Sequence, residues 1–267
     1  MKLKTIFDSA KLSIFFLATM LIASTSTVTA AAEEQPAAAE EQPASAHSWS
    51  ANMLIGSEYV FRGITQSNED PAIQVGIDYA HSSGFYLGTW ASSVEFNGAT
   101  GNDTQIETNF YGGFGGSLGS VDYDLGGLFY YYPEENDDNG AGEQDFFEVY
   151  GSLGTSVGDA SFGGGFAYSP DYYGEDGDSI WIYGEVGYSL PGGISPYATV
   201  GYLDVEGDET TPAGYDYVVY TLGASYDLGA FTFDLMWSDA ESDVNGGKAC
   251  GTKSVCEAVV LSISSSW

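Results

Sequence analysis

From Trp49 onward, apolar side chains recur at every second position and polar ones fill the gaps. Ile73, Val75, Ile77 and Tyr79 alternate with Gln74, Gly76 and Asp78. Val121, Tyr123 and Leu125 oppose Asp122 and Asp124, and Phe231, Phe233, Leu235 and Trp237 oppose Thr232, Asp234 and Ser238. A period of two with acids on one face predicts strands with one apolar and one wet side. About twelve such segments are expected, at 49–62, 72–80, 85–94, 105–115, 120–131, 145–154, 160–168, 179–189, 196–205, 216–226, 230–238 and 257–267. Segment 85–94 is the least regular, because Trp90 and Val94 fall on the opposite parity to Phe85 and Leu87.

The connections are sorted by length. Short ones such as "HSSG" (81–84), "SVGD" (156–159) and "DLGA" (227–230) alternate with long, mostly acidic ones such as "RGITQSNED", "PEENDDNGAGE" and "EGDETTPAG". That is the plan of a transmembrane barrel with tight turns at one end and longer loops at the other. In hydrocarbon every backbone N–H and C=O must pair, so such a sheet has to close on itself. The terminal "VVLSISSSW" adds an amphipathic strand ending on an aromatic residue, Trp267, the kind of strand the barrel-assembly machinery reads. Trp49, Tyr79, Tyr188, Tyr226, Trp237 and Trp267 stand near strand ends, where interfacial girdles form. The expected fold is all-β, a single antiparallel transmembrane β-barrel of about 12 strands over residues 48–267.

The N-terminus reads as an export signal over residues 1–30. Lys2, Lys4 and Lys11 precede the apolar run "LSIFFLATMLIA", and small residues follow it. This points to the outer membrane of a bacterium. Residues 31–47 repeat "EEQPA" and hold no aromatic residue, so they are expected to form a disordered acidic Ala/Glu/Pro linker. In an oxidising compartment Cys250 and Cys256 are expected to form a disulfide closing a small loop.

Charge narrows the function. The chain carries 38 acids against 6 bases, and without residues 1–30 the balance is 37 against 3. Nucleic acid is excluded as a partner, since it rewards clustered Lys and Arg. Outer-membrane lipid and lipopolysaccharide are expected to surround the barrel, and small solutes to be its cargo.

The stretch "YVFRGITQS", followed by "PAIQVGIDYAHSSGFYLGTWASSVEF", resembles the signature of a proteobacterial family of exported proteins known as TorF-type porins. The resemblance is specific over about Ser48 to Phe96; beyond it only the Gly/Tyr-rich style continues. It implies an outer-membrane β-barrel with a channel function and supplies no catalytic residues.

On the wet parity the ionisable groups are Glu58, Arg62, Asp78, Glu107, Asp122, Asp124, Glu148, Glu185, Asp204 and Asp234, the candidate pore-lining residues. One base among so many carboxylates would favour cations in a narrow pore. The same residues could equally be solvated side chains bonded across a plugged barrel. Arg62 has two readings: a constriction facing an acidic wall, or a register-holding partner of Glu58 or of a neighbouring strand's acid. The acidic loops offer oxygen ligands, but none matches the spacing of an EF-hand, so no metal and no cofactor are expected. His47, placed in the linker, and His81, placed in a short turn, build no Ser/His constellation, so an enzyme is not expected. The reading is a passive channel for small cationic or neutral solutes. Its competitor is a closed barrel acting by structure or surface interaction.

Overall fold

The computed structural model describes residues 45–96, 104–133, 143–207, 214–242 and 257–267. The predicted export signal, nearly all of the predicted linker, and Cys250 and Cys256 lie outside the described residues. Fourteen strands follow one another: β1 (His47–Gly56), β2 (Val60–Phe61), β3 (Ile64–Thr65), β4 (Ala72–His81), β5 (Phe85–Ser93), β6 (Ile106–Leu118), β7 (Val121–Tyr131), β8 (Phe146–Val157), β9 (Ala160–Ser169), β10 (Ser179–Tyr188), β11 (Ile194–Val205), β12 (Tyr215–Leu228), β13 (Phe231–Glu241) and β14 (Ala258–Ser266). Twelve of them close an antiparallel barrel, with β1 paired to β14 on one side and to β4 on the other. The remaining two, β2 and β3, form a separate ribbon.

The alternation along the strands sorts side chains as hydrocarbon requires. Ile73, Val75 and Ile77 of β4 are exposed on the outside, while Gln74 and Asp78 are buried inside. Leu235 of β13 and Leu261 of β14 continue the outward apolar band around the seam. Trp49, Tyr188, Tyr226 and Trp267 stand exposed near the short-turn end, and Tyr131 and Tyr220 toward the long-loop end. These are the two levels where an amphipathic ring finds both apolar chain and water.

The first expected segment, 49–62, is corrected by the structure. β1 starts at His47, which is therefore a strand residue directly opposite His81 and not part of the linker. It ends at Gly56, and the chain then leaves the wall. Its early end explains why β1 pairs with β4 rather than with its immediate successor. The other expected strands stand within a few residues of their predicted bounds.

Candidate functional site

The connection from Ser57 to Pro71 folds into the barrel. Its centre is the β2–β3 hairpin, with Val60 opposite Thr65 and Phe61 opposite Ile64. Two residues turn it, Arg62 (φ 46°) and Gly63 (φ 80°). Positive φ at both positions is the twist that a two-residue hairpin needs. Glycine adopts it freely; an arginine does so at a cost of about 1 kcal/mol. A side chain on Gly63 would collide with Ala240 of β13 and Val219 of β12, so the turn is pressed against the far wall.

Arg62 is 3% exposed and Glu148, on β8, is fully buried. The guanidinium meets the carboxylate as a fork on a fork: Nη1 donates to Oε1 and Nη2 to Oε2, each at 2.8 Å. The Tyr130 hydroxyl donates to the same Oε2 at 3.2 Å. Phe61 and Trp181 offer ring faces 4.7 and 5.3 Å from the guanidinium carbon. Burial works against the arginine's charge, but the Glu148 carboxylate, with Tyr172 and Tyr130 beside it, outweighs this and holds the guanidinium above its usual range. Such a pair repays desolvation only when its geometry is good and its spare lone pairs are met, as here. Burial also pushes the Tyr172 hydroxyl up to about 12.

The hairpin is packed on every side. Tyr59 meets Trp90 edge-on and shares an apolar cluster with Ala72 and Val94. Phe61 meets Tyr130, and Val60 packs with Met236, Ala258 and Val260. Contacts therefore run from β4 round to β14, and the long-loop half of the barrel is filled. Glu107 lies in this filled region, 1% exposed, accepting from Asn109 Nδ2 at 2.8 Å, the Tyr132 hydroxyl at 3.2 Å and the Tyr59 hydroxyl at 3.4 Å.

Nearer the short turns the interior changes character. Tyr111 donates to Asp78, Tyr86 donates to Asp124 at 2.6 Å, and Tyr197 donates to Asp234 at 3.0 Å. These three rings and two others rest on glycines of neighbouring strands: Tyr111 on Gly88, Tyr86 on Gly113, Tyr150 on Gly126, Tyr183 on Gly165 and Tyr197 on Gly223. A methyl group at any of the five would overlap the ring or force it to shift. These five pairs account for part of the Tyr and Gly content: each ring lies along the wall where its neighbour has no side chain.

Of the predicted wet-face residues, Asp78, Glu107, Asp122, Asp124, Glu148, Glu185 and Asp234 point inward from the wall, Asp122 at the short-turn rim beside Ser117. Three placements differ from expectation. Glu58 and Arg62 belong to the inserted connection, not to the wall; burial raises the Glu58 carboxyl above its usual range. Arg62 pairs with neither Glu58 nor an adjacent strand, but with Glu148 across the interior. Asp204 faces outward, opposite Asp216 and on the side of Tyr202, because Leu203 and Val205 take the inner positions against the plug. At the long-loop end of β11 and β12 the inner positions are held by Leu203, Val205, Tyr217 and Val219, so Asp204 takes the outer parity. The sequence carried a signal of this: Trp90 of β5 and Val94 just after it, the two parity exceptions of segment 85–94, both pack in the cluster of Tyr59.

Residues 40–267 match the family model described as "Bacterial protein of unknown function (Gcw_chp)". The chain belongs to this family. The stretch that resembles the TorF-type porins lies within the match, whose own description names no function. No curated protein sequence matches this Gcw_chp chain. Among solved structures it is similar to the KdgM porin at 8% identity and a TM-score of 0.53, covering 82% of this chain and 99% of that one. It is similar to the NanC porin at 11% identity and a TM-score of 0.50, covering 80% and 97%. At such identities the likeness is one of fold: the barrel has the architecture of outer-membrane porins.

Proposed function

We propose that this protein is an outer-membrane channel for small cationic or neutral solutes, closed at rest by its first long connection. One observation carries the proposal. Arg62, the sole Lys or Arg among the described residues, is paired with Glu148. Among the described residues Asp78, Asp124, Glu185 and Asp234 have no basic partner inside, which supports a negative interior that favours cations. One KdgM structure is described as a complex with oligogalacturonate, a polyanion. The described interior, whose one basic side chain is paired with Glu148, does not suit such a ligand. Lipid and lipopolysaccharide would surround the apolar band, and the β14 strand ending at Trp267 would be the segment read by the assembly machinery.

The completeness of the plug favours a second reading, a permanently closed barrel. Planar-bilayer recording decides between them. Glu148→Gln, which weakens the latch, should raise the frequency of open steps over the parent protein, and potassium should pass in preference to chloride. Absence of steps from both folded proteins would leave only the closed barrel.

A further inference from the structure

We propose that His47 and His81 form a site for one divalent transition-metal ion, of the copper, nickel or zinc kind, on the outward face of the barrel at its short-turn rim. The inference is independent of the channel reading.

The two histidines are the only ones in the chain. Read as linker and turn, their positions show no ligand spacing; the strand register joins them. His47 on β1 stands directly opposite His81 on β4. Cross-strand neighbours carry their Cβ atoms about 4.5–5.5 Å apart. The two rings follow, with centroids 5.1 Å apart and planes tilted by 55°. Imidazoles that share a metal through nitrogens at about 2.0–2.1 Å have ring centres roughly 5 Å apart. The backbone around the pair is pinned. Ser82 N–H donates to the Ala46 carbonyl at 2.8 Å, and Gly84 N–H donates to the His81 carbonyl at 2.9 Å. Little ordering is left for an ion to impose.

The ring nitrogens are arranged as ligating histidines need. A metal-bound imidazole ordinarily gives its other N–H to an oxygen, which fixes its tautomer and orientation. His47 Nδ1 lies 2.7 Å from the Tyr79 hydroxyl, and His81 Nδ1 lies 2.8 Å from the Ser83 hydroxyl. With a proton on each Nδ1, both Nε2 lone pairs face outward from these bonds. Neither Nε2 has a partner among the described residues. In the other tautomer of His81 the Ser83 N–H donates to Nδ1 at 3.2 Å, and an ion on Nε2 selects against that state. Tyr79 is itself steadied by Trp49, its ring centroid 5.1 Å away.

Access and charge agree with this use. His47 is exposed and His81 partly exposed, so a hydrated ion reaches both. They share the outward parity of Trp49 and Ile77 and lie one step past the Trp49–Tyr79 pair, toward the short turns. The formal net charge of -32 draws cations to the molecule. Nitrogen donors choose among them: imidazole suits copper, nickel and zinc, whereas magnesium and calcium seek oxygen. Among the described residues no third ligating side chain completes a cluster, so water fills the other positions and the ion can exchange.

The test uses the full folded barrel without a polyhistidine tag, in neutral detergent at mildly alkaline pH. Excess magnesium is present to occupy carboxylates. Cupric ion is titrated calorimetrically, and its paramagnetic resonance spectrum is recorded at one equivalent. One ion should bind per barrel, with hyperfine coupling to imidazole nitrogen, and copper should bind more tightly than nickel or zinc. His47→Ala and His81→Ala should each weaken binding at least about tenfold, or roughly 1.4 kcal/mol. His47→Gln and His81→Gln stand in for any alanine variant that lacks the heat-modifiable gel migration of a folded barrel. Affinity unchanged in both folded variants, displacement of copper by magnesium, or a copper spectrum without nitrogen coupling overturns the proposal. Bilayer recordings bear on the channel alone, so neither result decides the other.

Discussion

Two kinds of carboxylate line the inside of this barrel, and they differ in what faces them. Glu148, in the long-loop half, meets a guanidinium and is neutralised. Asp124 and Asp234, in the short-turn half, meet phenols, which orient a carboxylate without cancelling its charge. The first arrangement closes the space and the second leaves it charged. A chain with one interior arginine can do both only by placing that arginine where closure is needed.

If the ion pair carries the closure, breaking it from one side is the most damaging change. Arg62→Ala leaves Glu148 buried and uncompensated, with an expected cost of about 3–5 kcal/mol. Urea unfolding followed by tryptophan fluorescence measures it. Adding Glu148→Leu to Arg62→Met should recover most of the loss, since removing both partners leaves no orphan charge. A double variant as unstable as the single one would show that packing of the hairpin, not the pair, holds the plug.

The glycine wall comes next. Gly88→Ala sets a methyl group into the Tyr111 ring and should cost about 1–3 kcal/mol. Gly184→Ala, where a methyl would have open space, should change stability by less than about 0.5 kcal/mol in the same unfolding assay. Equal effects would mean that the rings move aside freely.

Asp234→Asn should change stability by less than about 1 kcal/mol, because it keeps the Tyr197 hydrogen bond. It should nevertheless lower the preference for potassium, read as a shift in reversal potential under a salt gradient. The smallest effect is expected at Glu58. Its carboxyl is raised above the usual range by burial, so the folded state holds its proton more tightly than the unfolded chain does. That contribution is fully present below the ordinary carboxylate range and is lost as pH rises through the raised value. Glu58→Gln should flatten the dependence of plug stability on pH there, measured as the unfolding midpoint across a pH series.

Much of the wall was legible in the sequence because a membrane allows only one solution to period-two alternation with sorted loops. Strand ends between Ala72 and Tyr188 fall where turn residues and parity place them. The plug was hidden because the apolar parity, interrupted only at Ser57, resumes at Tyr59 and Phe61, past the true end of β1 at Gly56. A hairpin and a strand share the same period, and only the turn at Arg62-Gly63 separates them. Asp204 was misplaced because Leu203 and Val205 take the inner positions of β11 beside the plug, so the acid between them points out. The partnership of Arg62 with Glu148 joins positions 86 residues apart, a pairing set by closure of the whole sheet and by no local pattern.

The hairpin touches strands from β4 to β14, yet it hangs from the end of β1, the strand that seals the cylinder. Both ends of the stopper are fixed to adjacent staves, Gly56 being paired with Ala72. Any opening can therefore swing it aside but never release it: the cork is leashed to the bottle.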